Sequence, residues 1–379
     1  NMVACAFTTG KIEVKSDGTP WRPVLHVRDA CSAFIAVLEA PAELVNGRCP
    51  QHPSIQPDWL EEENYFFALS KYTDTLLKHF ETNPDFVTPR VWRPELIGLL
   101  RSGLKDFSVS RKVRPGAIPW GIPVPGDPDH VMYVWFDALT TYLTGIGFPD
   151  DVERFNRYWP ADSQVIGKDI TRFHCLYWPA MLLSAGLDLP RRIVVHGFIT
   201  LEGQRISKTT GNMIDPVDLV AEFGADPIRY YLMRDVSLAS DGDFSRANLI
   251  RRHNDDLGND LGNLLNRVVA MVGRYRGGVI PAPGEGGDLE ADLRRVAETA
   301  RDRAAAQLDA WDLNGALDSL WTIVRRANQY LEERQPWRLA KQPDAATLLD
   351  TTLWSAAEAT RLAAIFLAPY IPTTSNRIV

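Results

Sequence analysis

The change of text at Asp243 constrains this chain more than any other feature. From about residue 60 up to that point, helix-like runs such as ENYFFALSKYTDTLLKHFE alternate with short apolar runs, HVMYVWFDAL, SQVIGKDI and RRIVVHGF, that read as strands. Such a mixture predicts α/β structure, in which a parallel strand returns through a helical crossover. After Asp243 the apolar residues keep helical spacing through LGNDLGNLLNRVVAMVGRY, LRRVAETARDRAAAQLDAWDLNGALDSLWTIVRRANQYLEERQ and TLLDTTLWSAAEATRLAAIFLA. A Gly/Pro-rich stretch, RGGVIPAPGEGGD at 276–288, punctuates them. Helices of this kind predict a bundle. The expected fold class is therefore α/β followed by all-α.

Residues 1 to about 40 form a third region. KIEVKSDG alternates with period two and ends in a turn pair, and VRDACSAFIAVLEA has helical spacing behind Asp29, a candidate cap. A chain of 379 residues has room for two or three domains. No run of 18 apolar residues occurs, and NMVACAFTTGK lacks a basic stretch followed by an apolar one, so the expected setting is cytoplasmic, with no membrane partner. Cys5, Cys31, Cys49 and Cys175 lie far apart without a CxxC pair, which argues against a disulfide scaffold or a complete zinc site. The formal charge of −7 offers nucleic acid no global attraction, so such a partner would need a local basic patch.

One short stretch carries chemistry. GQRISKTTGN at 203–212 sets Arg205 and Lys208 three residues apart around Ser207, between the strand-like run 192–201 and the helices. Two cations on a glycine-flanked loop can meet a polyphosphate and neutralise charge that grows as its bond breaks. Ser207 and Thr209 add hydroxyl donors. As a bare pattern, RISKT is equally a solvated basic turn.

Its neighbours decide between these. The ordered runs WGIPVPGD (120–127), YVWFDAL (133–139), IGKDITRFHCLYWPAML (166–182), HGFITLEGQRISKTTGN (196–212), DGDFS (241–245) and NDLGNLLNR (259–267) resemble those of class I methionyl-tRNA synthetases. The resemblance covers about 41–379 and implies a partial Rossmann-type catalytic half, 41–242, followed by a helical anticodon-binding domain, 243–379. In it, Arg205-Ile206-Ser207-Lys208-Thr209 stands for the Lys-Met-Ser-Lys-Ser signature, with Arg205 keeping the charge of the first lysine in a planar fork. The activity implied is methionine–tRNA ligase, with Arg205, Ser207 and Lys208 catalytic, ATP carrying Mg²⁺ as co-substrate, and methionine and tRNA(Met) as partners.

Further roles come with the resemblance. Trp135, Leu139, Tyr142, Ile170 and His174 would enclose the methionine side chain, since apolar and aromatic walls suit a thioether. Leu139 departs from the proline of some members. Gly167, Asp169, His196, Gly197 and Lys208 would bind ATP, the aspartate accepting from ribose hydroxyls and Gly167 permitting close approach. Asn263, Arg267 and Trp337 would read the anticodon, the first two from one helix face and the indole as a stacking platform. Taken alone, each of these residues also suits a bland role: core packing for Trp135, Tyr142, Ile170 and Trp337, a helix-face histidine for His174, a solvated Asn263, an Arg267 paired with an acid.

The sequence departs from the family in two ways. No His-Ile-Gly-His signature occurs in the 379 residues, and of the paired-cysteine zinc knuckles only CPQH (49–52) remains, so no metal ligand set is expected. Residues 1 to about 40, through KSDGTPWRPVLHVRDACSAFIAVLEAP, instead resemble the C-terminal half of an NAD-dependent epimerase/dehydratase, without that family's Gly-rich turn or Tyr-x-x-x-Lys pair. Arg22 and His26 would be remnants of a sugar-nucleotide edge or plain surface groups. The chain reads as a fusion of two truncated genes. Its alternatives are a tRNA-binding remnant without catalysis and an epimerase-like oxidoreductase.

Overall fold

The computed structural model describes residues 63–113, 121–201, 203–206 and 213–379. They divide into two compact units, 63–73 with 103–158 and 74–102 with 159–379. The first is built on antiparallel strands. Asp127–Met132 is flanked by Ser110–Lys112 and by Pro123–Val124, with an irregular register at Pro123 and Val124. Gly126, at φ +81°, makes the tight turn of that hairpin. A two-residue ladder joins Phe66–Phe67 to Phe107–Ser108. The ring of Phe67 lies 5.7 Å from those of Tyr72 and Phe107 and 6.2 Å from that of Phe136, an aromatic cluster that fixes the ladder.

Two expected elements change type here. The helix expected from Glu63 starts only at Thr73, because Phe66 and Phe67 alternate exposed and inward as a strand. In HVMYVWFDAL the strand ends at Met132, and Val134–Leu139 is helical. Trp135 and Leu139, four apart, share one face of that helical stretch.

In the second unit a parallel sheet is ordered Val87–Thr88, Ile193–His196, Gln164–Gly167, with Ile193, Val194 and Val195 all 0% exposed. An unbroken apolar run in the central strand is what covering both sheet faces requires. A second sheet centres on Ile199–Leu201, antiparallel to Gln204–Arg205 and parallel to Gly242–Phe244. The expected strand 192–201 thus breaks at Gly197 and Phe198, passing from one sheet to the other.

The helical text folds as four long helices: α1, Asn263–Arg276; α2, Asp288–Asp309; α3, Leu313–Arg334; and α4, Ala346–Leu367. Asp312 divides the long run LRR…ERQ by accepting from the amide of Gly315 as the cap of α3. Trp321, Tyr330 and Tyr370 are nearly fully buried in the bundle core, which Tyr230 of the helix Ala225–Asp235 joins. The same helix supplies Asp226, which accepts from the amides of Thr373 and Thr374 and so caps Pro372–Ile378. No helix among the described residues is long and apolar enough to cross a membrane.

Candidate functional site

Gly167 closes the strand Gln164–Gly167 and pairs in register with His196, the last residue of the neighbouring parallel strand. Both lie at carboxyl ends of parallel strands, where open α/β sheets bind ligands. A Cβ at position 167 would come within 2.7 Å of Asp169 Oδ1 and 3.7 Å of His196 Cε1. Close approach at Gly167 was expected toward a ligand, and in the structure the group that approaches is the carboxylate of Asp169, itself exposed. His196 donates from Nδ1 to the carbonyl of Gly197 at 2.8 Å. Gly197 is needed for a different reason. A Cβ there would stand 2.2 Å from the carbonyl oxygen of Ser240 and 2.7 Å from the amide nitrogen of Asp241, so the two backbones touch.

Asp241 and Asp243 flank Gly242 at the start of the strand Gly242–Phe244 and, two apart, address the same face. Asp241 accepts from the amide of Phe198 at 2.8 Å, and Lys168 Nζ lies 2.7 Å from its carboxylate and 4.7 Å from the Phe198 ring centre. The bond from Lys168, with that from Phe198, holds the Asp241 carboxyl below its ordinary range. Asp243 accepts at Oδ1 from the amide of Gly203 at 2.8 Å and from the hydroxyl of Thr200 at 2.7 Å, which lowers it likewise. Sequence reasoning quoted IGKDI and DGDFS yet gave Lys168, Asp241 and Asp243 no role. The two carboxylates at strand spacing were the available signal.

Of the loop cations, Arg205 sits in the ladder Gln204–Arg205 opposite Thr200. Ser207 and Lys208 lie outside the described residues, as do Arg22, His26, Cys49 and His52.

The residues expected around methionine belong to both units. In the first, Trp135 and Tyr142 are half-buried while Leu139, 2% exposed, is a core residue; burial pushes the Tyr142 phenol up. In the second, His174 is 2% exposed and its Nδ1 lies 3.0 Å from the carbonyl of Ile170. Burial lowers its pKa, so the ring is neutral with its proton on Nδ1, compatible with apolar surroundings. It stands on the π-helical turn Phe173–Tyr177, just ahead of Pro179, which has no amide to donate to the preceding turn.

On the bundle, the Arg267 guanidinium lies 6.0 Å from the ring centre of Trp337 and donates to Glu332 at 2.6 Å. Arg267 therefore packs on the indole and pairs with an acid at once. Asn263, exposed, is one helical turn earlier on α1. The three residues expected to read the anticodon thus share one region, presenting a cation, an amide and a flat ring. Among the described residues no cluster of three or more His, Cys, Asp or Glu side chains could hold a metal ion.

A family model described as tRNA synthetases class I (M) matches residues 26–269, and one for the anticodon binding domain of methionyl tRNA ligase matches 280–379. A third, for the NAD dependent epimerase/dehydratase family, matches 1–49 and overlaps the first. The methionine–tRNA ligase of Mycobacterium tuberculosis is 45% identical over 346 residues, 90% of this chain and 66% of that protein. That of Thermotoga maritima is 44% identical over 320 residues, 84% of this chain and 50% of that one. This chain thus spans just under two thirds, or less, of these relatives. Among solved structures, M. tuberculosis methionyl-tRNA synthetase in complex with methionyl-adenylate superposes with a TM-score of 0.81 at 46% identity, covering 85% of this chain and 63% of that one. Its apo form gives 0.78 at 44% identity, with the same coverage.

Proposed function

Because this chain belongs to the tRNA synthetases of class I (M), we propose that it is a methionine–tRNA ligase, taking methionine, ATP and tRNA(Met) as its substrates. The observation that carries this is the strand-end pair Gly167 and His196, with Asp169 beside it and Gly197 against the backbone of residues 240 and 241, in a chain 45% identical to methionine–tRNA ligases. In the reaction the methionine carboxylate attacks the α-phosphate of ATP in line and pyrophosphate leaves; the terminal ribose hydroxyl of tRNA then takes the aminoacyl group from the adenylate, and AMP leaves. Asp169 accepts from ribose hydroxyls, and His196 and Gly197 face the adenine. Arg205 and Lys208, with Mg²⁺ on the phosphates, meet charge that grows as pyrophosphate leaves, so their contribution is to the transition state. Trp135, Leu139, Tyr142, Ile170 and a neutral His174 are assigned to the methionine side chain, and Asn263, Arg267 and Trp337 to the anticodon. Residues 41–242 form the catalytic part and 243–379 the anticodon-binding part, in a cytoplasmic protein.

Titration with a sulfamoyl analogue of methionyl-adenylate, beside its alanyl counterpart, tests the ligase assignment. Preference for the methionyl analogue is expected. Equal affinity for the two analogues overturns the assignment.

A further inference from the structure

His130 stands on the strand Asp127–Met132 of the antiparallel unit with only 6% of its surface exposed. Its Nδ1 lies 2.8 Å from a carboxylate oxygen of Asp127, and its Nε2 lies 2.7 Å from the backbone carbonyl of Glu63. A carbonyl can only accept, and so can Asp127. Burial works to raise the Asp127 carboxyl, but the bonds from the Tyr65 hydroxyl, from His130 and from the Asp129 amide outweigh it and hold it below its ordinary range. A neutral imidazole carries one N–H, so making both bonds at once requires the imidazolium.

The segment held in this way has a short backbone ladder of its own. Phe66–Phe67 pairs with Phe107–Ser108 at two positions, too few to hold a ribbon by themselves. Just before it, Glu63 is bonded through its carbonyl to His130, and Tyr65 through its hydroxyl to Asp127, with the two rings edge to face at 5.5 Å. The other charged groups around the imidazole among the described residues are Lys112, its register partner on Ser110–Lys112, and the Glu63 and Asp129 side chains, which line with it a cavity of about 340 Å³. All three are exposed, so a proton can leave the ring for water.

We propose that His130 is a pH-sensitive latch: as imidazolium it clamps the Glu63–Tyr65 segment onto the strand Asp127–Met132, and on losing a proton it releases one side. The Glu63 carbonyl raises the ring above its ordinary pKa of 6.5, with Asp127 adding to it against burial and the charge of Lys112. A raised folded-state value means that the clamp is complete below about pH 6.5 and is lost as pH rises through the higher value. None of this depends on what the chain binds.

The test uses the full chain. In protein labelled with nitrogen-15 histidine, the His130 ring, assigned by its loss in His130→Gln, is expected to show both nitrogens protonated at pH 6 and a titration midpoint above 6.5. Amide protection over 64–67, taken relative to α2 at each pH so that the intrinsic pH dependence of exchange cancels, is expected to fall about tenfold or more between pH 6 and pH 9, the order for one hydrogen bond to a charged group. His130→Gln should already be poorly protected at pH 6 and flat with pH. Tyr65→Phe, which removes the neighbouring phenol that also titrates in alkali, should keep the fall. A midpoint at or below 6.5, wild-type protection that does not change with pH, or a fall that survives in His130→Gln or vanishes in Tyr65→Phe overturns the inference. If His130→Gln does not fold, the wild-type protection and Tyr65→Phe decide it.

Discussion

The strand ends that carry Gly167, His196 and Gly197 and the bundle that carries Arg267 and Trp337 hold their side chains by different means. At the strand ends, order comes from backbone contact through glycine and from half-exposed charged bonds such as Lys168 with Asp241. Exposed pairs of that kind contribute little stability and yield readily to water and salt. In the bundle, order comes from an apolar core and from buried acids such as Glu290. Glu290, 8% exposed, accepts from the Tyr330 hydroxyl at 2.5 Å, Arg334 Nε at 2.7 Å and the Gly287 amide at 2.8 Å. One region is held by bonds that yield to water and salt, the other by a core that does not.

The sharpest test of that contrast is acid. Burial alone would raise the Glu290 carboxyl, but the bonds from Arg334, Tyr330 and Gly287 outweigh it and bring it to about 2 from 4.5. A folded-state value below the unfolded one gives stability that is complete above about pH 4.5 and drains away as pH falls toward 2. The amount is about 3 kcal/mol at most, which is the largest effect expected here. Urea unfolding of wild type and Glu290→Gln at pH 6 and pH 3 should show the gap between them shrinking in acid. A gap that stays constant would break the comparison on the bundle side.

On the other side, Gly197→Ala forces a methyl group against Ser240 and Asp241, backbone atoms that cannot rotate away. The expected cost is about 1–3 kcal/mol, the range for overpacking a tight site, with weaker binding of the methionyl-adenylate analogue. Thermal unfolding with and without the analogue measures both. A variant as stable as wild type would mean that the strand ends are not held by backbone contact.

How much of this was legible beforehand differs between the same two regions. The bundle was, because α1 to α4 bury apolar faces whose 3.6 period is written in the residues themselves, and the spacing of Asn263 and Arg267 placed them on one face. Strand ends were harder. VWFDAL reads equally as strand or helix, since a six-residue run with one charge, Asp137, among apolar and aromatic residues carries no decisive period. The need for glycine at 197 is set by residues 240 and 241, more than forty positions away, and no local pattern announces it. Asp243 was visible only as part of a motif, because its partners Thr200 and Gly203 meet it through a parallel pairing that sequence spacing does not reveal.

Trp337→Ala sharpens the comparison at the bundle surface. The indole is half-buried under Arg267, and stacking of a base on it is worth about 1–3 kcal/mol. Wild type is expected to prefer a CAU anticodon stem-loop over one with a changed first anticodon base, and Trp337→Ala to weaken the CAU complex by up to that amount. Both loops need titration at one salt concentration, since phosphate contacts make any affinity salt-dependent. Equal binding of the two loops, or no change without the indole, would return Trp337 to packing alone.

The smallest effect is a control on the meaning of glycine in this molecule. Gly98 is exposed in the helix Arg93–Arg101, in the same unit as Gly197, and a Cβ there meets nothing within 4 Å. Helix interiors disfavour glycine because the unfolded chain has more backbone freedom to lose, so Gly98→Ala is expected to stabilise the protein by about 0.5–1 kcal/mol. The same chemical change, one methyl on a glycine, should thus act with opposite sign at positions 98 and 197. Chemical denaturation of both variants in one buffer reads the sign directly. If Gly98→Ala also destabilises, glycine-to-alanine changes are costly in this unit for reasons unrelated to close backbone approach, and the contact between Gly197 and residues 240 and 241 loses its standing as the cause.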